Sequence, residues 1–381
     1  MSKFPLIVAV SLATLSSAYC LLCIVAAILH LRRRNRPSEI PANLPAVSIL
    51  KPLKGTDPKM YESLRSHCAL DYPEYEILFG ISDPADPAAD LVKRAQQEFP
   101  NRQIQLLLCE KDLGSNGKVS TLAQLEAIAR YQVLLVNDSD IRVPPSYLRE
   151  VIAEVEQPGV GLVTCLYRGV PAQTLASKLE SLGISTDFVP GVLVASIVEG
   201  GIHFGLGSTL ALRKRELKTI GGFETLADYL ADDYELGRRI AENSGAVALS
   251  RTVVETYLPA YGFSDFVTHQ LRWMRTIRTS RPAGYAGLPF TFTLPWALMT
   301  IVLSGGALWA WPVAAVAAAV RFAAAIIAGS IILRDQNLVG LLWLVPFRDL
   351  LAPLIWIGGL FGNRIVWRGK VFRLKNGRLV S

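Results

Sequence analysis

Apolar and polar positions divide the 381 residues into three regimes. Residues 4–31, FPLIVAVSLATLSSAYCLLCIVAAILHL, contain no Asp, Glu, Lys or Arg. That is long enough to cross a hydrocarbon core, which needs about 20 apolar residues. From 46 to 282 the pattern becomes that of a soluble domain. The apolar runs at 47–50 (VSIL), 76–82 (EILFGIS), 104–108 (IQLLL), 132–136 (QVLLV) and 160–164 (VGLVT) are strand-like. Helical patterns fall between them at 88–99, 118–130 and 145–156. Strand and helix in alternation predict a mainly parallel sheet covered on both faces, a doubly wound α/β fold. Residues 289–361 return to apolar sequence in three blocks, 290–309, 311–333 and 338–360, before a basic tail at 364–381.

Composition makes the apolar ends a membrane question. Hydrophobic residues are 51% of the chain, charged residues 19%, and mean hydropathy is +0.33, too apolar for an ordinary soluble protein of this size. Arg32, Arg33, Arg34 and Arg36 follow the first span, whereas a cleaved signal would carry its cations before a shorter apolar core. The span therefore reads as a retained anchor, with its arginines and the domain behind it cytoplasmic. Three further crossings would put the basic tail outside, against the same rule. The block containing Arg348 and Asp349 is thus expected to be re-entrant or interfacial, leaving two crossings. Arg321, also in an apolar run, suits either an internal ion pair or snorkelling, or contact with a lipid acceptor. Cys20 and Cys23 lie inside the anchor without a partner pair and read as small packing residues; Cys68, Cys109 and Cys165 read as free thiols. The net charge of +7 gathers next to the apolar spans, without the aromatic interleaving of a nucleic-acid surface.

Acidic blocks carry the candidate chemistry. Asp83 and Asp138 each follow a strand-like run, and ligands of open α/β sheets bind beyond the carboxyl ends of the strands. Either could instead open a turn or cap a helix. Asp138 and Asp140 form a D-x-D of hard oxygen donors without His or Cys nearby, which favours Mg²⁺ or Mn²⁺ and a substrate diphosphate. Asp232 and Asp233 open a helical stretch, where acids complement the macrodipole. As a functional pair they suit general-base work on an alcohol, Asp233 as the base and Asp232 as a like charge raising its pKa. His269, Arg272 and Trp273 in HQLRW share a helix face, with Arg275 and Arg278 further along. This row could bind anionic lipid, or a diphosphate and an acceptor hydroxyl. Lys118 is a further cation for the same crevice, and the glycines of GLGSTLALRK permit close backbone approach or a plain turn.

The order KPLKG, ISD…DP, N-x-K-V-S-x-L, NDSDIRV, GLGSTLALRK, ADDYELG and x-x-x-RW, with WRG at 367–369, resembles the ceramide glucosyltransferase family and its bacterial branch acting on hopanoid lipids. The resemblance implies a GT-A fold and inverting transfer of glucose or N-acetylglucosamine from a UDP-sugar to the hydroxyl of a membrane lipid. Ceramide and bacteriohopanetetrol are the implied acceptors, and the bacterial branch would place the protein in the inner membrane. By the same resemblance Asp83 serves the nucleotide, Asp138 and Asp140 the metal and diphosphate, Asp233 is the base, and Arg272 with Trp273 completes the site. The family's last block usually opens with Gln or Arg, and here it opens with His269, which adds a titratable ring. A processive polysaccharide synthase shares these motifs but needs a polymer channel. An inert lipid-binding scaffold would not need every acidic block.

Overall fold

The computed structural model describes residues 3–35, 43–243, 245–367 and 370–380. Arg36, and Arg368 with Gly369 of the WRG motif, lie outside the described residues. The chain forms two compact units that interleave in sequence. One comprises Pro37–Val170, Glu199–Pro259 and Val371–Ser381; the other comprises Met1–Arg36, Pro171–Val198 and Ala260–Lys370. Composition had grouped 46–282 together, but 171–198 and 260–282 cluster with the apolar helices.

The first unit is built on an eight-stranded sheet. Its strands are β1 (Val47–Pro52), β2 (Tyr75–Ile81), β3 (Gln103–Leu108), β4 (Val133–Val136), β5 (Ile141–Arg142), β6 (Val160–Val170), β7 (Leu210–Arg213) and β8 (Ala246–Tyr257), in the order β3-β2-β1-β4-β7-β6-β8-β5. All five expected runs are strands. The sheet is more mixed than expected. β3, β2, β1 and β4 are parallel, as are β6 and β8, but β7 is antiparallel to both β4 and β6, and β5 to β8. Ile49, Ile77 and Leu135 are wholly buried, as parallel strands covered on both faces require.

The parallel half positions the acidic blocks. β1 pairs with β2 on one side and β4 on the other, with Leu50 opposite both Leu78 and Val136. From β1 the chain first builds outward through β2 and β3, then reverses to β4. Beyond the carboxyl ends at such a reversal a crevice opens, and the segments after β2 and β4 both leave from that edge.

The second unit is helical. Among the described residues four helices are long and apolar enough to cross a membrane, Phe4–Arg34, Leu175–Val198, Ala310–Ile332 and Leu338–Leu360. A fifth candidate, Pro282–Thr291 with Thr293–Leu303, is bent by 51°. The break thus falls in the first C-terminal apolar block, not in the one holding Arg348 and Asp349. That block tolerates its charges because both side chains are buried, and Arg321 donates to Asp349 from Nε at 2.8 Å and from a terminal nitrogen at 2.6 Å. Arg321 therefore makes the internal ion pair. The anchor buries a stripe of small residues, Ala9, Ala13, Ser16, Cys20, Cys23 and Ala27, at helical spacing. Such stripes let membrane helices approach closely, and Cys20 Sγ lies 3.2 Å from Thr293 Oγ1. Both anchor cysteines are packing residues, and all five in the chain are free.

Candidate active site

Three local structures deliver the site. β4 ends in a buried network around Asn137, which donates to Tyr147 Oη (2.9 Å) and the Ser208 carbonyl (2.6 Å) and pairs with His67 Nε2 (3.2 Å). That anchors the turn bearing Asp138. The helix Gly117–Ile128 starts at Asn116, whose side chain accepts from the Val119 N–H as an N-cap and donates to the Tyr229 carbonyl and Asp232. Lys118 is thereby fixed in its first turn. The helix Asp232–Asn243 carries both aspartates at its start, and Gly237 presses it against the glycine loop 205–207.

Lys118 is the hub. Its ammonium lies 2.8 Å from Asp138 Oδ1 and 3.1 Å from Asp232 Oδ2. Burial alone would lower its pKa, but Asp138, Asp232 and Asp233 override that and hold it above its usual range. Asp232 is buried and committed to Lys118 and Asn116, so it positions its neighbours. Asp233 is the freer carboxylate. Its Oδ2 accepts from the Gly207 N–H at 2.7 Å and its Oδ1 from the Tyr234 N–H at 2.8 Å. Burial and Asp232 raise its pKa to about 6, against the pull of Lys118.

Gly207 is there for space. A Cβ on it would stand 2.7 Å from Asp138 Oδ2 and 3.2 Å from Asp233 Oδ2. The glycines of GLGST therefore bring backbone against the acids, beyond serving as a turn before β7.

Asp140 is held from another strand, β8. Its carboxylate accepts from Thr256 Oγ1, and burial and Asp138 raise its pKa to about 6. Among the described residues no three His, Cys, Asp or Glu side chains gather into a metal cage. Asp138 is 41% exposed and Asp140 is its near neighbour, so hard oxygen donors are present in small number. This suits Mg²⁺ or Mn²⁺ drawing its remaining ligands from a diphosphate and water.

Asp83 is exposed and accepts from the Ala85 N–H at 2.9 Å, a turn-forming bond that leaves its other oxygen open. Lys51, Asn116 and Asn137 were given no role from sequence. Lys51, at the end of β1, is fully buried and donates to the Asp138 carbonyl at 2.9 Å. Burial lowers its pKa to about 7, opposed by Asp140 and Asp138. The signal for it was the charged residue inside the KPLKG run.

HQLRW lies in the helical unit, on the helix Phe263–Ser280. The predicted shared face is real, with the His269 and Trp273 rings 5.1 Å apart. His269 Nδ1 lies 3.1 Å from buried Glu180. Arg275 and Arg278 both bond to backbone. They donate to carbonyls in the last turn of the helix Val345–Leu360 and just beyond it, Arg275 to Phe361 (3.2 Å) and Arg364 (2.7 Å), Arg278 to Gly359 and Gly362 (2.7 Å each). Carbonyls at a helix end lack intrahelical partners, and these guanidinium groups supply them.

The model of glycosyl transferase family 21 matches residues 8–380. The chain belongs to that family. It is 24% identical over 95% of its length to ceramide glucosyltransferase 1 of Caenorhabditis elegans, covering 78% of that protein, and 24% identical over 88% of its length to ceramide glucosyltransferase 3, covering 74%. Among solved structures it resembles the mannosyltransferase PcManGT of Pyrobaculum calidifontis, solved in complex with GDP-Man and Mn²⁺. That likeness has a TM-score of 0.53 at 19% identity, over 92% of this chain and 97% of the other. The family 21 chain is thus a glycosyltransferase of GT-A fold. Its long apolar helices mark it as a membrane protein.

Proposed function

We propose that this enzyme transfers a hexose, glucose or N-acetylglucosamine, from a UDP-sugar to the hydroxyl of a membrane lipid such as ceramide or a hopanoid polyol, with inversion at the anomeric carbon. The observation that carries the reading is Asp233, a carboxylate held by the Gly207 N–H beside Lys118, with a pKa raised to about 6. A base with a pKa near the working pH is matched to removing a proton from an alcohol. The acceptor oxygen bonds to the anomeric carbon as the bond to the diphosphate oxygen breaks, and the alcohol proton passes to Asp233. Lys118 and Asp232 keep the acids in place, and Asp83 is our candidate for the nucleotide. Mg²⁺ or Mn²⁺ at Asp138 and Asp140 would offset charge on the departing diphosphate. The names of the C. elegans relatives support the lipid acceptor, and the titled ligands of PcManGT support a nucleotide-sugar donor with a divalent cation. Arg272 and Trp273 are assigned to the acceptor side of the reaction.

A cytoplasmic site fits the anchor's arginines. The tail supports an even number of crossings after residue 260. Within the soluble unit Leu230 N–H bonds the Gly377 carbonyl (3.1 Å) and Leu379 N–H the Asp228 carbonyl (2.7 Å), so tail and domain share one side of the bilayer. We assign the two crossings to Ala310–Ile332 and Leu338–Leu360 and treat the bent pair as re-entrant.

The test is acceptor-dependent UDP release by the purified protein in lipid nanodiscs, UDP-glucose and UDP-N-acetylglucosamine each against ceramide and bacteriohopanetetrol. Turnover with one pair that needs the divalent cation and disappears in Asp233→Asn is expected. Release that survives Asp233→Asn would remove the base from the scheme.

A further inference from the structure

The basic tail contains a hairpin. Its strands Lys370–Lys375 and Arg378–Val380 pair antiparallel, with Lys375 opposite Arg378. The turn between them is Asn376-Gly377, with φ of 50° and 77°, the left-handed pair that a two-residue link between twisted strands requires. Phe372, Leu374 and Leu379 are buried while Arg373, Lys375 and Arg378 are exposed, so one face of the hairpin is packed. Residues Val371–Ser381 belong to the sheet-bearing unit.

The residues 227–230, which lead into the helix Asp232–Asn243, are held from two sides. On one side the Ala227 carbonyl accepts from the Asn116 N–H at 2.7 Å, and the Tyr229 carbonyl accepts from the Asn116 side chain at 2.8 Å. The alternate backbone groups go to the tail. The Asp228 carbonyl accepts from the Leu379 N–H at 2.7 Å, the Leu230 N–H donates to the Gly377 carbonyl at 3.1 Å, and Tyr229 pairs antiparallel with Arg378. The hairpin therefore adds a strand to this segment, main chain to main chain.

Tyr229 supplies a side-chain link as well. Arg378 donates to its Oη at 3.1 Å, with the guanidinium 5.0 Å from the ring centre. Arg239, on the helix that bears Asp232 and Asp233, stands 5.3 Å from the same ring. Cations at this range are drawn to an aromatic face. The acids are close along the chain and through Asn116, whose side chain also donates to Asp232 at 3.3 Å, and Asp232 in turn holds Lys118.

We infer that the hairpin is a positioning element of the catalytic site. Arg378–Val380 bonds the segment before the acids, and with Arg378 on Tyr229 it fixes the start of the helix that presents Asp232 and Asp233. It acts on turnover and not on donor binding, because the turn bearing Asp138 is anchored separately by Asn137, and Asp83 by its own loop. This rests on the reading of Asp233 as the base.

The experiment uses the full chain in nanodiscs and measures acceptor-dependent UDP release, UDP binding with Mg²⁺ present, and the thermal midpoint. Leu379→Pro removes the N–H given to Asp228, a bond outside the hairpin's own ladder. It should lower kcat about 10- to 100-fold, as for a misaligned reacting group, and leave UDP binding unchanged. Arg378→Ala should lower kcat about 5-fold, and Arg378→Lys, which keeps the cation, should recover most of that. A folded Leu379→Pro with kcat within about 2-fold of wild type overturns the inference, since lost alignment cannot be that cheap. Loss of UDP binding in step with turnover also overturns it, because that marks general support of the fold. If Leu379→Pro does not fold, the exposed Arg378→Ala decides by the same two criteria. Asp233→Asn, measured alongside, separates the two readings: release that survives it defeats the base, whereas release lost there but kept in both tail variants defeats the hairpin's role alone.

Discussion

Gly207→Ala separates catalytic geometry from folding. The new methyl carbon would lie 2.7 Å from Asp138 Oδ2, and ordinary contact begins at 3.4 Å, so that carboxylate must retreat by about 0.7 Å. The Asp233 oxygen, at 3.2 Å, must also give slightly, and it is the acceptor for the Gly207 N–H. Misplacing a reacting group by 1 Å can cost about 100-fold, so kcat/KM for sugar transfer should fall about 10- to 100-fold. Folding should suffer little, because the clash meets the ends of side chains. Gly237→Ala makes the opposite case. Its methyl would stand 2.0 Å from the Gly205 nitrogen and 2.3 Å from the Phe204 carbonyl carbon, backbone that cannot rotate away. Overpacking of that kind should cost about 3 kcal/mol or more and lower expression. The assay pairs steady-state UDP release in nanodiscs with the thermal midpoint of each variant. Gly207→Ala with activity within about 2-fold of wild type would refute the close approach of Gly207 to the acids, since a lost alignment cannot be that cheap.

Asp233 should also set the pH behaviour. The base works deprotonated and its pKa is raised to about 6, so kcat/KM should fall as pH drops through about 6. The same shift predicts stability: a carboxyl whose folded pKa exceeds its unfolded value favours the fold at low pH, and that contribution is lost as pH rises through about 6. Asp233→Asn, in chelator, should therefore raise the thermal midpoint relative to wild type at pH 7.5 but not at pH 4; equal gains at both would remove burial as the cause. Arg278→Ala should cost about 1 to 3 kcal/mol, the carbonyls of Gly359 and Gly362 losing their donor, with no change in dependence on anionic lipid. A weakened anionic-lipid dependence in vesicles of graded composition would restore the surface-binding role for that cation.

The legible parts of the chain are those whose signal is local. β1, β2 and β4 read directly from apolar runs because each is covered on both faces, and Asp83 and Asp138 read as strand-end residues for the same reason. β5, β7 and β8 did not, since β5 is two residues long and β7 is four residues reached from a glycine loop without a crossover helix, so neither has a period to detect. Leu175–Val198 escaped notice because Lys178, Glu180 and Asp187 interrupt its apolar sequence; the two acids are met by partners far along the chain, Glu180 by His269 and Asp187 by Arg321 and Arg348. The site shows the same division. Asp138, Asp232 and Lys118 were named from sequence, yet Lys118 as the cation bridging the other two is a fact of three elements meeting. Gly207 is the clearest case. As one letter in GLGST it suits a turn or a close backbone approach equally, and only the arrival of Asp138 from β4 and Asp233 from a later helix makes its missing side chain part of the chemistry. Sequence patterns name the groups a reaction needs. What places them together is packing between segments distant in the chain, which no local period encodes.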